Sequence, residues 1–356
     1  MTWTLTEVPA DSSYADEITA LVDARNASMR HSWGDDDLLD PASVELAGLA
    51  DQAFVGHGYL AAVEDGRTLG GVAFELPMQD NEGTGWLDIF VRPDERGRGV
   101  GSALHDAALD WLRAQGRTVA QASTDQRSEP AEGPGTLAPS TGIGRVAADS
   151  PDVRFMQSRG WSLEQVERRS VLPLPLEDGA LERFEAEAAA AAGSDYRLVT
   201  WAGRTPERWL EQYAYLMSRM STDPPVGGMD WTEQAWPTTR VLTMEERARA
   251  GGYRIYVLAA EHVPTGTLAA FTNFWAPPHT DECVHQGDTL VVPEHRGHRL
   301  GMWVKAANLR RLLAEQPGVQ RVDTWNAEEN EWMLAINVAL GFRPRGGAGV
   351  WQQSIA

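Results

Sequence analysis

Hydrophobic and polar positions follow the same order in the two halves of the chain. In each half, short segments in which apolar residues recur with a period of two predict strands, and a longer segment with a period of 3.6 predicts an amphipathic helix. The first half contains the strand-like segments GYLAAVED, TLGGVAFEL and GWLDIFV, followed by the helical segment GSALHDAALDWLRAQ. The second half contains RIYVLAAE, GTLAAFTNF and DTLVV, followed by GMWVKAANLRRLLAEQ. The pattern predicts a strand–loop–helix junction in each half.

The two junctions have nearly the same sequence. VRPDERGRGVGSAL begins at Val91, VVPEHRGHRLGMWV begins at Val291, and the two align without a gap. A single long-range repeat indicates two homologous domains rather than a solenoid of short repeats. We therefore predict an α/β protein, with an α+β mixed sheet in each of two tandem domains, residues 1–175 and 196–356. The proline-punctuated and then alanine-rich stretch at 176–195 is predicted to connect them.

The composition is that of a globular protein, since 42% of the 356 residues are hydrophobic and 23% are charged. The formal net charge of −20 disfavours a nucleic acid or a membrane as partner, because both require a positive protein surface. The chain has neither a signal-peptide-like start nor an uncharged apolar run of roughly 18 residues. Cys283 is its only cysteine, which fits a reducing compartment. We expect a cytoplasmic protein whose acidic surface either favours a cationic substrate or serves solubility alone.

The repeated junction has the features of an anion-binding loop. Glycines allow successive backbone N–H groups to face one anion, and the N-terminus of the following helix adds the positive end of its dipole. The loop lacks the Lys-Ser or Lys-Thr of a P-loop, and its glycine spacing does not fit the dinucleotide fingerprint. Through Arg96, Gly99 and Gly101 it does match [Q/R]-x-x-G-x-[G/A], the acyl-CoA loop of the GNAT superfamily of N-acyltransferases. A plain tight turn is the alternative interpretation.

The chain resembles GNAT proteins over nearly its whole length. The segment TWNAEENEWMLAINVALGF is similar to the block that closes the family's domain, and DVRFMQSRGW is a reduced version of it in the first half. The tandem arrangement is similar to that of the mycothiol synthases and related actinobacterial acyltransferases. The resemblance implies a mixed sheet that splays between its fourth and fifth strands, with the pantetheine of acetyl-CoA in the gap. It also implies direct attack by an amine, without a covalent enzyme intermediate.

The resemblance implies two candidate coenzyme A sites, each made of the end of the fourth strand and the loop. The first comprises Ile89, Phe90, Val91, Arg96, Gly97, Arg98, Gly99, Val100, Gly101 and Ser102. The second comprises Leu290, Val291, Arg296, Gly297, His298, Arg299, Leu300 and Gly301, together with Asn326 at the end of the fifth strand. Arg299 stands where the first copy has Gly99, and a side chain is unfavourable there if the backbone needs a positive φ. We therefore favour the first loop, although the second domain has the better-preserved closing block.

Candidate bases for deprotonating the attacking ammonium lie on the fourth strand and its approach. They are Glu82 and Asp88 in the first domain and Glu282, His285 and Asp288 in the second. His285 has the intrinsic pKa closest to neutral, and a structural role is the alternative for each of them.

The acid that GNAT enzymes frequently use is a tyrosine in the closing block. Met156 and Asn337 occupy that position in the two domains, and neither can serve as that acid.

These observations predict an acyl-CoA-dependent N-acyltransferase that moves an acetyl group from acetyl-CoA to a small amine, with a cationic amine as one candidate. One domain would be catalytic and the other largely structural, without a metal, in a monomer or homodimer. The alternative is a non-catalytic CoA-binding or regulatory protein whose catalytic groups have been lost. The missing tyrosine in both halves and the substitution at Arg299 favour that alternative.

Overall fold

The computed structural model describes residues 3–356, which form two compact units. The first unit comprises the described residues up to Glu167 together with Val226–Thr232 and Gly346–Ala356. The second comprises Arg168–Pro225 and Glu233–Arg345. No helix among the described residues is long and apolar enough to cross a membrane.

The first unit contains five main strands and four helices. In chain order they are β1 (Thr4–Val8), α1 (Ala15–Trp33), α2 (Ala42–Gly48), β2 (Val55–Glu64), β3 (Arg67–Pro77), β4 (Thr84–Val91), α3 (Val100–Ala114), β5 (Val119–Gln126), the short β6 (Thr136–Leu137) and β7 (Val146–Ala147), and α4 (Pro151–Ser158). Strand β8 (Ser162–Pro173) starts in this unit and ends in the second. Strands β1 to β5 lie side by side in chain order and are antiparallel, except that β4 and β5 are parallel.

The second unit repeats this arrangement. Its elements are α5 (Ala180–Ala192), β9 (Tyr196–Ala202), α6 (Glu207–Met220), α7 (Thr238–Gly251), β10 (Arg254–His262), β11 (Thr267–Ala276), β12 (Cys283–Val291), α8 (Leu300–Glu315), β13 (Arg321–Ala327) and α9 (Glu331–Leu340), and the chain then enters β14 (Arg343–Ser354). Strands β9 to β12 are antiparallel neighbours, and β13 runs parallel to β12. The mixed α/β fold predicted from the sequence is confirmed, with one copy in each unit.

Two cores cover the two faces of the first sheet. Leu104 of α3 packs in one core with Phe74, and Ile18 of α1 packs in the other, next to Ala73. Because adjacent residues of a strand point to opposite faces, α3 and α1 lie on opposite faces of β3. The α1 face is the one that carries the candidate site.

The first sheet opens at the end of β4. Strand β4 pairs with β5 only from Thr84 to Trp86, whereas it pairs with β3 as far as Val91. The remainder of β4 therefore has a free edge toward β5. This opening is the splay that the family resemblance implies.

The two compact units differ from the predicted domain boundaries in three places. The predicted connector is part of the second unit, because α5 places Leu181 and Ala188 in that unit's core. Residues from Arg168 onward leave the first unit, since β8 there lies beside β13 and Arg169 pairs with the buried Asp323. The third difference is the end of the chain, where β14 completes the first sheet by running antiparallel to β5, and its Trp351 is fully buried in the first unit's core.

Candidate active site

A cavity of about 780 Å³ lies in the first unit, along the part of β4 that has separated from β5. The loop between β4 and α3 lines one part of it, and side chains of α1, α2, β2 and β3 line another. Of the predicted first-domain residues, those that line it are Asp88, Ile89, Phe90, Val91, Arg96, Gly97, Gly99, Gly101 and Ser102. The structure therefore brings one predicted base and most of the first predicted coenzyme A site into one space.

The backbone of this loop is shaped by glycines. Gly97 and Gly99 have φ values of +78° and +83°, in the left-handed region that glycine adopts at little cost. A Cβ atom added at either position would meet no atom within 4 Å, so conformation rather than space requires glycine there. Gly99 is the N-cap residue of α3, and the chain turns there from the strand into the helix.

The loop leaves a row of backbone N–H groups free. Within residues 3–356, no backbone carbonyl accepts from the amides of residues 97–102, and the first bond into the helix runs from Ala103 N to Gly99 O at 3.2 Å. The first amides of any helix lack an intrahelical acceptor, and they carry the positive end of its dipole. The loop thus offers hydrogen-bond donors and positive potential to an anion.

Arg96 and Arg98 have different surroundings although they are only two positions apart. Arg96 donates to Val91 O at 3.3 Å and to Ser28 Oγ at 3.0 Å, and it forms no ion pair with any residue that the structure describes. Arg98 donates to Glu95 and, at 2.8 Å, to Glu64. Its guanidinium is therefore committed to the protein and lies outside the cavity lining, which leaves its backbone N–H to contact coenzyme A. Val100 also lies outside the cavity lining, since it is buried in the core.

Asp88 faces the α1 side of the sheet just beyond the point of separation. Its neighbours in register across the strands are Ala73 on β3 and then Tyr59 on β2. Burial raises the pKa of the Asp88 carboxyl, the Arg25 guanidinium lowers it, and the Glu45 carboxylate raises it again. Asp88 thus lines the cavity in a setting that brings its pKa closer to neutral than that of a solvated aspartate.

A polar cluster surrounds Asp88 on this face. Arg25 Nη1 lies 3.1 Å from Glu45 Oε2, and the Tyr59 hydroxyl donates to Glu45 Oε1 at 2.6 Å. Burial favours the neutral form of Glu45, but the charge of Arg25 and the hydrogen bond from Tyr59 outweigh it and lower the pKa of Glu45. Glu75 also lines the cavity, on the same face of the sheet as Asp88. The sequence reasoning missed these residues, and a charged residue on the buried face of α1 was the only signal for Arg25.

The structure does not bring the predicted bases Glu82 and Glu282 to a site. Glu82 is exposed and precedes the eight-residue strand β4, at the opposite end from the loop. Eight residues of strand span roughly 26 Å, which is too far for a side chain to bridge. Glu282 occupies the same place before β12 and lies 3.3 Å from Arg321 as an ion pair. Both assignments are therefore corrected.

The second loop keeps the backbone of the first. Arg299 has a φ of +55° and is the N-cap residue of α8, so an arginine adopts the conformation that Gly99 adopts in the first copy. Arg296 donates to Val291 O at 3.2 Å, as Arg96 does to Val91 O. The second loop therefore has a side chain at a positive φ, the conformation in which a side chain is expected to be unfavourable.

The charges of the second loop are neutralised within its own unit. Arg296 lies 3.7 Å from Asp223, and Arg299 lies 3.3 Å from Glu187 of α5. The loop is also more crowded, because Ile336 Cδ1 of α9 lies 3.0 Å from the position that a Cβ on Gly301 would take.

The remaining second-domain candidates belong to hydrogen-bonded or strand-paired structure. Asn326 accepts from Asn337 Nδ2 at 2.7 Å, which ties the end of β13 to α9. His285 is half-buried on β12 and is paired in register with Trp275 and Asp323. The other predicted contacts, Leu290, Val291, Gly297, His298 and Leu300, follow β12 into the loop and the start of α8. The closing-block position in the first unit, Met156, lines the cavity but carries no acidic proton.

The fold and the loop define a protein of the acyl-CoA-dependent N-acyltransferase class. Residues 18–132 match the model of the acetyltransferase (GNAT) family. The chain is 23% identical to the mycothiol acetyltransferase of Rothia mucilaginosa over 352 residues, which cover 95% of this chain and 90% of the relative. The match to the family model and the similarity to the Rothia protein both agree with the fold.

Two solved structures extend this similarity to the whole chain. A tandem GNAT protein from the clavulanic acid biosynthesis pathway, solved without AcCoA, superposes with a TM-score of 0.76 and 25% identity over 99% of both chains. A GCN5-related N-acetyltransferase from Sphaerobacter thermophilus has the same fold, with a TM-score of 0.63 and 12% identity over 99% of this chain and 96% of that one. Residues 18–132 thus carry a GNAT acetyltransferase domain, and the whole chain has the tandem GNAT fold that the repeated loop predicted. These similarities support N-acetyltransferase activity.

Proposed function

We propose that this chain transfers an acetyl group from acetyl-CoA to the amine of a small molecule and that its first unit performs the reaction. The observation that carries the proposal is the cavity of about 780 Å³, which contains both the loop with the uncommitted Arg96 and the carboxyl group of Asp88. A group that binds the diphosphate and a base for the amine are thus present in one space. Acetyl transfer itself is common to GNAT acetyltransferases, which use acetyl-CoA.

The residues of the first loop fit the chemistry of acetyl-CoA. A diphosphate needs several hydrogen-bond donors and a compensating charge. The amides of residues 97–102 would supply the donors, and Arg96 would supply the charge. The free edge of β4 from Leu87 to Val91 would hold the pantetheine arm and the thioester by backbone hydrogen bonds.

In the proposed reaction, Asp88 acts as the general base. Its carboxylate takes one proton from the substrate ammonium, directly or through one water, and the free amine then attacks the thioester carbonyl carbon. The C–N bond forms, the C–S bond breaks, and the departing thiolate takes up the second proton that the nitrogen loses. The products are the N-acetylated amine and CoA, with one net proton released. Because its pKa is raised by burial, Asp88 is a stronger base than a solvated aspartate.

The charge of the cavity supports a cationic acceptor. Asp88, Glu45 and Glu75 line the part of the cavity away from the loop, and Arg25 is the one arginine that the described lining places among them. An ammonium is therefore favoured over an anionic substrate. The formal net charge of −20 supports the same preference and disfavours nucleic acid as a partner. The similarity to the mycothiol acetyltransferase of Rothia mucilaginosa supports acetyl transfer.

We propose that the second unit is largely structural. The charges that would compensate a diphosphate there are already paired, Arg296 with Asp223 and Arg299 with Glu187. Binding of the diphosphate would require these pairs to separate, in a loop that is also more crowded because Ile336 lies close to Gly301. That cost disfavours acetyl-CoA at the second loop relative to the first.

A binding measurement with a matched pair of variants tests this assignment. In calorimetric titrations with acetyl-CoA, we expect Arg96→Gln to weaken binding roughly tenfold, because a charge-assisted hydrogen bond to phosphate is lost. Arg296→Gln at the equivalent position should leave the affinity unchanged. The opposite ranking would transfer the coenzyme site to the second unit.

Turnover separates the enzyme from the non-catalytic alternative. Release of free thiol from acetyl-CoA is measured across a panel of monoamines, diamines and aminosugars. An acetyltransferase releases thiol with at least one amine above the rate without amine. Binding of acetyl-CoA with no turnover across the panel would favour a regulatory CoA-binding protein, which the lack of an acid at Met156 supports.

A further inference from the structure

Arg25, Glu45 and Tyr59 form a connected polar chain beside Asp88. Arg25 is ion-paired to Glu45, which also accepts a hydrogen bond from Tyr59. The side chains of Arg25 and Glu45 are only 20% and 14% exposed, so the pair is largely withdrawn from water. Electrostatic interactions in such a place are stronger and less screened by salt than at the surface.

Opposite charges act on Asp88 from two helices. Apart from burial, the interactions that bear on the pKa of Asp88 are attraction by Arg25 of α1 and repulsion by Glu45 of α2. Burial lowers the pKa of Arg25, but the charges of Glu45 and then of Asp88 outweigh it and raise that pKa. One guanidinium is therefore shared by two carboxylates, of which only Glu45 is also held by a tyrosine hydroxyl.

Other titratable groups face this part of the cavity from the neighbouring elements. They are His57 on β2, Glu75 on β3 and Asp125 on β5, and Asp40 ahead of α2 lies outside the lining but acts on Arg25. Asp40 acts on Arg25, as Glu45 does, and His57 lowers the pKa of Glu45. The influence of Asp40 and His57 on Asp88 therefore passes through the Arg25–Glu45 pair.

We propose that Arg25 and Glu45 are positioning residues for acetyl transfer, which hold the Asp88 carboxyl group in place and set its charge. The inference rests on the proposed role of Asp88 as the base. Arg25 attracts the Asp88 carboxylate electrostatically, and Glu45, held by the Tyr59 hydroxyl, repels it and neutralises part of the charge of Arg25. Without Glu45, Asp88 would form the full ion pair and would take up a proton poorly. Without Arg25, it would be protonated before the amine arrives.

Direct titration of Asp88 tests the pair without a known acceptor. The carboxyl carbon of Asp88 is followed by ¹³C NMR in protein labelled at its aspartates, with Asp88→Asn identifying the signal. We expect Arg25→Gln to raise the titration midpoint by about one pH unit or more and Glu45→Gln to lower it by a similar amount. Arg25→Lys, which keeps the charge, should restore most of the shift.

Arg30→Gln is the matched control, since Arg30 lies on the same helix and forms an exposed ion pair with Asp36. Its midpoint should equal that of the unmodified protein. Shifts in the same direction for Arg25→Gln and Glu45→Gln, or shifts no larger than the control's, would overturn the proposal. If Arg25→Gln does not fold, as judged by circular dichroism, the downward shift in Glu45→Gln decides alone.

Activity distinguishes this proposal from that of the base itself. Suppose that Arg25→Gln and Glu45→Gln shift the Asp88 midpoint in opposite directions but Asp88→Asn still releases thiol at the full rate. The Arg25–Glu45 pair would then set the charge of Asp88, and Asp88 would not be the base. If Asp88→Asn is inactive and the shifts are absent, the base stands and the positioning role does not. Where both hold, the acidic limb of kcat/KM should follow the NMR midpoints in the two variants.

Discussion

The loops of the two units have the same backbone conformation, but they differ in the residues that support them and in the residues that pair with their arginines. In the first, Glu95 is 6% exposed and accepts from Arg67 and Arg98, so permanent charges brace the loop. In the second, His295 occupies the place of Glu95. The Tyr196 hydroxyl lies 2.9 Å from His295 Nδ1, and the rings of His262 and His295 are 4.7 Å apart.

The comparison separates loop shape from loop chemistry. Gly99 and Arg299 both take the left-handed conformation, so the strand–loop–helix geometry survives the loss of a glycine. What distinguishes the loops is whether an arginine is uncommitted, as Arg96 is, or paired, as Arg296 is with Asp223. A glycine signature therefore identifies the turn, and the partners of its cations decide whether the turn can bind an anion.

The largest expected difference concerns the two equivalent aspartates. Asp88→Asn should lower kcat by roughly 100- to 10,000-fold, the usual contribution of a general base. Asp288→Asn should leave kcat unchanged, because the proposed acetyl-CoA site lies in the first unit and the Asp288 carboxylate accepts from Asn273 Nδ2 at 3.4 Å. Steady-state thiol release with the best amine of the panel measures both. Equal losses of kcat in the two variants would contradict the proposal that only the first unit is catalytic.

A second difference lies in the helix that follows each loop. His105 and Lys305 occupy equivalent buried positions, and burial lowers the pKa of Lys305 to about 7. The unfolded chain, with a lysine pKa of 10.5, therefore binds more protons than the folded protein between pH 7 and 10.5. The free energy of unfolding should rise with pH across this window.

Lys305→Met should remove that dependence. At pH 7 the free energy of unfolding of the variant should exceed that of the unmodified protein by a few kcal/mol, because each unit by which the pKa is lowered corresponds to about 1.4 kcal/mol. This gain should shrink toward pH 10.5. Chemical denaturation at pH 7.5 and pH 10 checks this. A gain that does not change with pH would mean that packing against Phe342, rather than the charge, is responsible.

The loop and the duplication could be predicted from sequence because they depend on local spacing. Glycines at fixed offsets and a change of period mark a strand–loop–helix junction wherever it occurs. The environment of Asp88 could not be predicted, because Arg25 and Glu45 come from helices far along the chain. The ion pairs of Arg98 could not be predicted for a similar reason, since its carboxylate partner Glu64 is supplied by the end of another strand.

The placement of the C-terminal segment in the first unit also had no signal in the sequence. The C-terminal strand carries the same alternation whichever sheet it joins, so nothing in its sequence indicated that Trp351 packs in the core of the first unit. The predicted boundaries followed the repeat, whereas the compact units follow the pairing of β14 with β5.

An arginine in place of Gly99 should weaken the first loop moderately. Gly99→Arg requires a side chain at a φ of +83°, which costs about 1 kcal/mol or more for a non-glycine residue. The loop tolerates that shape in the second unit, so we expect a folded protein with roughly tenfold weaker acetyl-CoA binding by calorimetry. Gly116→Arg, at a φ of +75° after α3, is the matched control and should leave binding unchanged.

The contacts of His295 with Tyr196 and His262 should make the second unit less stable in acid. Burial lowers the pKa of His295, and the neighbouring His262 lowers it further. In acid the unfolded chain then binds more protons than the folded protein. The free energy of unfolding should therefore fall as the pH drops from the unfolded histidine pKa of about 6.5 through the lower pKa of His295 in the folded protein. Thermal unfolding between pH 7.5 and 5 should show a shallower slope in His295→Gln, whereas His31→Gln, at an exposed position on α1, should keep the original slope.

The smallest expected effect is the reverse of the glycine substitution. Arg299→Gly relieves a left-handed non-glycine residue and should stabilise the second unit, although it also removes the ion pair with Glu187. That pair is about half exposed on both sides and contributes at most about 1 kcal/mol. The two terms nearly cancel, so the free energy of unfolding should change by less than about 1 kcal/mol. Acetyl-CoA binding at the second loop should remain absent, because Arg296 stays paired with Asp223. Stoichiometry by calorimetry is the decisive measurement, and a second equivalent of acetyl-CoA bound by Arg299→Gly would show that the missing glycine, rather than the paired arginine, had closed that site.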